Sequence, residues 1–316
     1  MKCSYHPDYA IPLSPEHPFP ISKYPLLRDL LIGEGTVVAA DLVEPPPAPL
    51  EGLALVHTRE YLEKIASGDL SPAEVRRLGL PWSPALWRRS RLAAGGTIQA
   101  ARFALADGLG ANLAGGTHHA FADHGEGFCL VNDVAVAIRQ LRVEGAIRRA
   151  VVVDLDVHQG NGTAKLFEND PAVFTFSVHG EKNYPTQKMR SRLDVALADG
   201  TGDEEYLAVL DRQLPEVLDA ANADLAFYVA GVDVAEGDRY GRLRLSERGI
   251  YERDRRVIQA SRQRDLPLTI VLAGGYAPTR ARTAELHAHV FRAALAQGAG
   301  GRGGCGVRPP SAPSTC

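Results

Sequence analysis

From about residue 111 the chain alternates short apolar runs with amphipathic segments. The runs are ANLAGG, VVVDLDV, VFTFSV, LAFYVAGVDV and LTIVLAGG, and helical stretches at 133–143, 162–168, 204–221, 246–263 and 279–297 fall between or after them. Runs this short and this rich in Val, Ile and Phe read as strands buried on both faces, and strands joined through helices run parallel. The expected fold is α/β, a central parallel sheet with helices on both sides. Two more helices are predicted at 57–66 and 84–107, whereas the proline-rich first 50 residues, closing with EPPPAP, read as a stiff surface connection. A chain of 316 residues fits one such domain over 1–297, followed by the Gly/Pro-rich stretch 298–316, whose composition predicts disorder.

Each apolar run leads into an unusual polar group. Thr117, His118 and His119 follow the first, Asp156 and His158 the second, Ser177 and His179 the third, Asp233 the fourth and Tyr276 the fifth. Ligands of open parallel sheets bind at the carboxyl ends of the strands, so five strands would deliver polar side chains to one edge.

In DLDVH, Asp156 and His158 stand two apart, which on an extended chain points both to one side. Their carboxylate and imidazole can meet one cation, with Asp233 as third ligand and a fourth position for water, the arrangement of catalytic zinc. The competing reading makes Asp156 a helix cap and His158 an ordinary polar residue. Asp154, deeper on the same face, needs a partner of its own: a histidine N–H, a second cation, or a structural hydrogen bond. In GGTHHAFADHGEGFC, the adjacent His118 and His119 suit acid–base work at neutral pH, against the plainer reading of a surface loop or weak metal binding. Phe128 beside Gly127 offers an aromatic wall or a core contact. In LAGGYAP, Tyr276 after the Gly274-Gly275 turn could donate to a developing oxyanion, or simply pack its ring.

The bulk properties narrow the classes. A formal charge of -3 and a pI near 6.4 favour neither nucleic acid nor an anionic membrane as partner. The N-terminus MKCSYHPDYAIPLSPEHPFP lacks the apolar core of a signal peptide, and no window approaches a membrane span. Cys3, Cys129, Cys305 and Cys316 form no CxxC pair, so reduced thiols in a cytoplasmic protein are expected.

Taken in order, GGTHHAFADHGEGFC, DLDVHQGNGT, AGVDVAEGDRYGRL and LAGGYAPTRART resemble the zinc-dependent histone deacetylase superfamily over roughly residues 1–297. GDRYGRL, GGYAPTRAR and the N-terminal HPFP look most like its class IV branch and the bacterial relatives of that branch. The resemblance implies an arginase/deacetylase-like three-layer α/β/α fold with a mainly parallel sheet of about eight strands, a single catalytic domain. It implies zinc, with ferrous iron as a plausible substitute, held by Asp156, His158 and Asp233. His118 and His119 match the tandem catalytic histidines, and Tyr276 the tyrosine that polarises the substrate carbonyl. Asp154 matches the carboxylate behind the first histidine. With Asp156, His158, Ser177 and Val178 it also matches a monovalent cation site, usually potassium. Gly127 and Phe128 match one wall of an acyl-lysine tunnel, with Tyr184 as the other wall and Gly274 and Gly275 as further tunnel residues. Behind His119, where class I members carry Asp, this chain has Asn161. An amide stabilises imidazolium less than a carboxylate does, which suits His119 to the general-base role and His118 to protonating the leaving amine.

The implied reaction is hydrolysis of an acyl group, acetyl or longer, from a lysine amine of a protein or peptide. Rival readings are a deacetylase of small acylated amines such as acetylpolyamines and, with less support, a silent acyl-amine binding module. An arginase-like manganese hydrolase would need two metals and more bridging aspartates.

Overall fold

The computed structural model describes residues 1–299. Its strands are β1 (Cys3–Ser4), β2 (Leu42–Val43), β3 (Leu109–Asn112), β4 (Ala150–Asp154), β5 (Val173–Gly180), β6 (Leu193–Leu197), β7 (Leu225–Val229) and β8 (Leu268–Val271). They form one sheet in the order β2-β1-β3-β8-β7-β4-β5-β6, parallel at every pairing. The helices are α1 (Lys23–Gly33), α2 (Leu50–Leu53), α3 (Arg59–Ser67), α4 (Pro72–Leu78), α5 (Pro84–Asp107), α6 (Asp133–Val143), α7 (Asn161–Phe167), α8 (Asp203–Ala221), α9 (Glu247–Arg262) and α10 (Arg280–Ala299). One layer is built by α5 against β3 and β8, with α6 beside α5 and α7 against β5. The opposite layer runs α1, α10, α9, α8, the last packing on β4 and β5. The expected three-layer α/β/α architecture is the one observed.

The strand residues of β4 and β7 are all buried, as double-sided cover requires. Helix boundaries follow local chemistry. The Ser83 side chain accepts from the Leu86 N–H with Pro84 in the first turn, and α5 ends at Gly108 in the left-handed region, φ 82°. At α6 the Asn132 side chain accepts from the Ala135 N–H.

Several sequence expectations need correction. The first 50 residues are not merely a surface connection. Cys3 and Ser4 pair with both β2 and β3, and α1 buries Lys23, Tyr24, Leu27 and Leu31. The EPPPAP segment docks on α5: Ala48 N–H donates to Arg91 O at 2.8 Å, and a Cβ on Gly95 would collide with the Pro46 carbonyl. Two-residue strands carry no readable period, so their place in the sheet comes wholly from neighbours. The ANLAGG run is strand only to Asn112; Gly115 and Gly116 turn with φ of 78° and 75°. The 298–316 stretch lies outside the described residues from 300 on, as do Cys305 and Cys316, while Cys3 and Cys129 are buried free thiols. Among the described residues, no helix is long and apolar enough to cross a membrane.

Candidate active site

The central strands end along one edge, and the loops beyond them carry the polar residues. The strand β4 stops at Asp154, so Asp156 and His158 lie in the irregular segment that follows and do not alternate along a strand. They still converge, because each Asp turns the backbone. Asp154 Oδ1 accepts from Asp156 N–H (3.2 Å) and Asp156 Oδ1 from His158 N–H (2.9 Å), both two residues on. Asp233, beyond the end of β7, is drawn in when its Oδ1 accepts from Val157 N–H (2.9 Å). Gly274, beyond β8, donates its N–H to Asp156 Oδ2 (2.7 Å). A side chain on Gly274 would run into Asp233 Oδ2 and Asp156 Oδ2, so only glycine lets that backbone approach. Beneath them the buried Arg253 guanidinium donates to Leu155 O (3.2 Å) and Gly231 O (2.5 Å), strapping both loops from behind.

Asp156, His158 and Asp233 each offer a ligand atom, and these atoms lie within 4.8 Å of one another, all buried. His158 Nδ1 stands 3.0 Å from Asp156 Oδ1 and 3.1 Å from Asp233 Oδ2. Asp233 Oδ2 is buried and has no hydrogen-bond donor. Burial, with the Asp156 carboxylate nearby, pushes the Asp233 carboxyl above the usual carboxylate range. Two carboxylates and an imidazole around an unsatisfied oxygen fit a divalent cation.

The tandem histidines face this cluster with different partners. His118 Nδ1 is 2.8 Å from Asp154 Oδ2, His119 Nδ1 is 2.7 Å from Asn161 Oδ1, and the two Nε2 atoms are 3.1 Å apart. Burial disfavours charge on both. At His118 the Asp154 and Asp156 carboxylates outweigh it and raise the pKa to about 9. At His119 burial and the neighbouring histidines win, and the imidazole is held well below its usual value.

Tyr276 projects its ring toward His158, with centroids 6.5 Å apart, and contacts Phe128 and Tyr240 at 6.0 and 4.9 Å. Burial, then the Asp233 and Asp156 charges, keeps its phenol protonated well above the ordinary range. Phe128, at a positive φ of 68°, and Tyr184, edge-on to His119 at 5.0 Å, flank the cleft. That cleft, of about 300 Å³, is lined by His119, His158 and Tyr276 with the walls Phe128, Tyr184 and Tyr240. A smaller cavity of about 30 Å³ lies against His118, Asp156, Gly274 and Arg89.

Gly127 lines the cleft, while Gly274 faces the smaller cavity. Gly275 borders neither; it is buried where a side chain would meet Val232 and Thr283. Ser177 stands beside Asp154 in the sheet register, its hydroxyl 2.9 Å from His179 Nδ1, and Val178 follows in β5.

Sequence reasoning missed four residues that shape this site. Asp133 receives N–H groups from Gly116 (3.1 Å) and Thr117 (2.7 Å), pinning the turn before the histidines. Asp238 receives the Tyr276 N–H (2.6 Å). Glu126 receives the Asn161 amide (2.6 Å), and Tyr240 forms a wall. The one local signal was Asp238 in GDRYG, a turn-forming position; the other three are set by partners distant in sequence.

The comparisons with known proteins follow the same outline. A model of the histone deacetylase domain matches residues 17–293. The chain is 44% identical over 290 residues to an uncharacterized protein of Picosynechococcus sp., covering 92% of this chain and 97% of that one. It is 32% identical over 276 residues to histone deacetylase 2 of Arabidopsis thaliana, covering 84% and 71%. It is also 32% identical over 261 residues to a probable deacetylase of Methanothermobacter thermautotrophicus, covering 78% and 77%. The crystal structure of the HDA15 HD domain superposes with a TM-score of 0.77 at 23% identity, covering 93% of this chain and 88% of that one; it shares the fold.

Proposed function

The chain belongs to the histone deacetylase family, and from that premise we propose that it hydrolyses N-acyl amines, removing acetyl or longer acyl groups from lysine side chains of proteins or peptides. The observation that carries this reading is one cleft of about 300 Å³ that is walled by aromatic rings and ends on His119, His158 and Tyr276. Such a cleft takes an extended acylated amine and brings its amide to the polar end.

Asp156, His158 and Asp233 would hold zinc, or ferrous iron in its place. The ion would polarise the amide carbonyl and acidify the attacking water. His119 takes the proton from that water through Nε2, because its Nδ1 is engaged by Asn161 Oδ1. His118, backed by the Asp154 carboxylate, carries a proton to give to the departing amine. Tyr276 donates from its hydroxyl to the carbonyl oxygen as negative charge develops there. The products are a carboxylate and a free amine. Asp154, Asp156, His158, Ser177 and Val178 would hold potassium as a structural ion through side-chain and backbone oxygens.

Two segments support class IV as the branch. In GDRYGRL and GGYAPTRAR, Asp238 accepts from Tyr276 N–H (2.6 Å), and Arg239 N–H donates back to Tyr276 O (3.1 Å). At the cleft mouth stand the exposed Arg76 and Arg77. Their charge disfavours a polycation, which supports the reading of acyl-lysine peptides over acetylpolyamines as substrates. Turnover of a peptide series bearing acetyl through myristoyl lysine, beside an N-acetylpolyamine and with metal content measured, tests the reading. No hydrolysis of any acyl-lysine by metal-replete protein would refute it.

A further inference from the structure

We propose that Glu126 is a positioning residue that fixes the amide of Asn161 and, through it, the tautomer and aim of His119. The inference rests on the reading of His119 as proton acceptor and adds what the Asn in this chain requires. A carboxylate behind an imidazole presents acceptors whichever way it turns. An amide does not: one end accepts and the other donates. With Oδ1 toward His119, Nδ1 carries the ring proton and Nε2 offers a lone pair to the cleft. With the amide turned over, its NH₂ faces Nδ1, the ring proton moves to Nε2, and the base is lost.

Glu126 discriminates between these orientations. Its Oε1 lies 2.6 Å from Asn161 Nδ2, while Asn161 Oδ1 lies 2.7 Å from His119 Nδ1. A carboxylate has no proton to give, so the amide nitrogen must face it. The turned amide would set oxygen against oxygen at that separation and leave an N–H pointing at Nδ1. Water cannot easily take over, because Asn161 is 3% exposed. Glu126 is itself well held. The Tyr184 hydroxyl donates to the same Oε1 (2.7 Å), His124 Nε2 lies 3.6 Å from Oε2, and Cys129 N–H donates to Glu126 O (2.9 Å). Glu126 thus supplies, one residue further out, the carboxylate that Asn161 lacks.

The test reads the tautomer directly. In ¹⁵N-histidine-labelled protein, His119, assigned by the signal lost in a His119→Ala variant, should show a protonated Nδ1 and a bare Nε2. Glu126→Ala should convert it to a mixture with protonated Nε2. Should Glu126→Ala not fold, the isosteric Glu126→Gln, whose amide tolerates both orientations, should give the same mixing. On an acyl-lysine peptide, Glu126→Ala should lower kcat by about 10- to 100-fold, less than the roughly 10²–10⁴ that a general base contributes, because only part of the population loses the base. Tyr184→Phe, which removes the other bond to Glu126, should act mainly on KM. Asn161→Asp alone opposes two carboxylates and should also lower kcat. The exchange Glu126→Gln with Asn161→Asp restores a donor–acceptor pair and should recover several-fold over Asn161→Asp. An unchanged His119 tautomer in both Glu126 variants, or a double variant no better than Asn161→Asp, would overturn the proposal. A wild-type protein inactive on every acyl substrate would instead refute the proposed function, while the NMR comparison would still decide the role of Glu126.

Discussion

The backbone N–H of Tyr276 donates to Asp238 Oδ2 at 2.6 Å, tying the loop after β8 to the loop after β7. Asp238 Oδ1 also receives the N–H groups of Tyr240 and Gly241, each at 2.9 Å. One carboxylate therefore fixes both the Tyr276 phenol and the Tyr240 wall against it. Tyr276→Phe should lower kcat by on the order of 10²–10³ with the melting temperature and metal content unchanged, since one oxyanion donor is lost and the ring's packing is kept. Asp238→Ala should leave the phenol present but loosely aimed, with a loss of up to about 10². Steady-state kinetics on an acyl-lysine peptide checks both; turnover within about threefold of wild type for Tyr276→Phe contradicts the oxyanion role.

Asp233→Ala should abolish both metal binding and hydrolysis, because Asp156 and His158 alone leave the cation two protein ligands. Chelation of the wild-type protein should likewise remove activity and lower the melting temperature, as any ligand bound only by the folded state stabilises it. Elemental analysis decides the matter. Stoichiometric metal retained by Asp233→Ala would show that the ion sits elsewhere.

Charge reversal at the cleft mouth should change substrate choice more than turnover. Arg76→Glu with Arg77→Glu should raise kcat/KM for an N-acetylpolyamine relative to an acetyl-lysine peptide by about two- to tenfold, since an exposed charge contact is worth at most about 1 kcal/mol. The effect should shrink in high salt. An unchanged ratio of the two specificity constants at low salt would mean that these arginines do not face the substrate.

Acidification should destabilise the fold through His57. This residue is 2% exposed; its Nδ1 lies 2.9 Å from Phe121 O, and its Nε2 accepts from Asn132 N–H at 3.0 Å. Both nitrogens are satisfied in the neutral ring, and burial lowers the pKa from 6.5 to about 4. The folded state therefore binds the proton less readily than the unfolded chain. The stabilisation is complete above pH 6.5 and is lost as pH falls toward 4, amounting to roughly 3 kcal/mol. His179, also lowered to about 4 by burial, steepens the same limb. His57→Gln should melt lower than wild type at pH 7.5 and show a shallower loss on the acid side. Parallel acid slopes for the two proteins would place the titration elsewhere.

The sequence alone determined the layer architecture and the edge at which function collects. Valine-rich runs such as 151–153 can be buried only inside a covered sheet, and helices between them force parallel strands. The polar residues that follow each run must then emerge at the carboxyl edge, which makes Asp156, His158, Asp233, His118, His119 and Tyr276 candidates from the sequence by itself. Asp156, His158 and Asp233 do converge, although through side-chain-to-backbone turns beyond β4 and not through strand alternation.

Tertiary structure alone decided what holds those residues in place. Cys3 and Ser4 are a strand only because β2 and β3 pair with them, and two residues have no period of their own. Lys23 is buried with its ammonium donating to Ala273 O, 250 positions away, in a segment that reads as a proline-rich surface connection. Glu126 meets Asn161 across 35 positions, Asp238 meets Tyr276 across 38, and Arg253 reaches Leu155 across 98. Periodicity reports which face of an element is apolar, and it extends only as far as the element itself. Hydrogen bonds between loops depend on where the folded sheet brings those loops, so their partners exist as pairs only after the strands have been ordered.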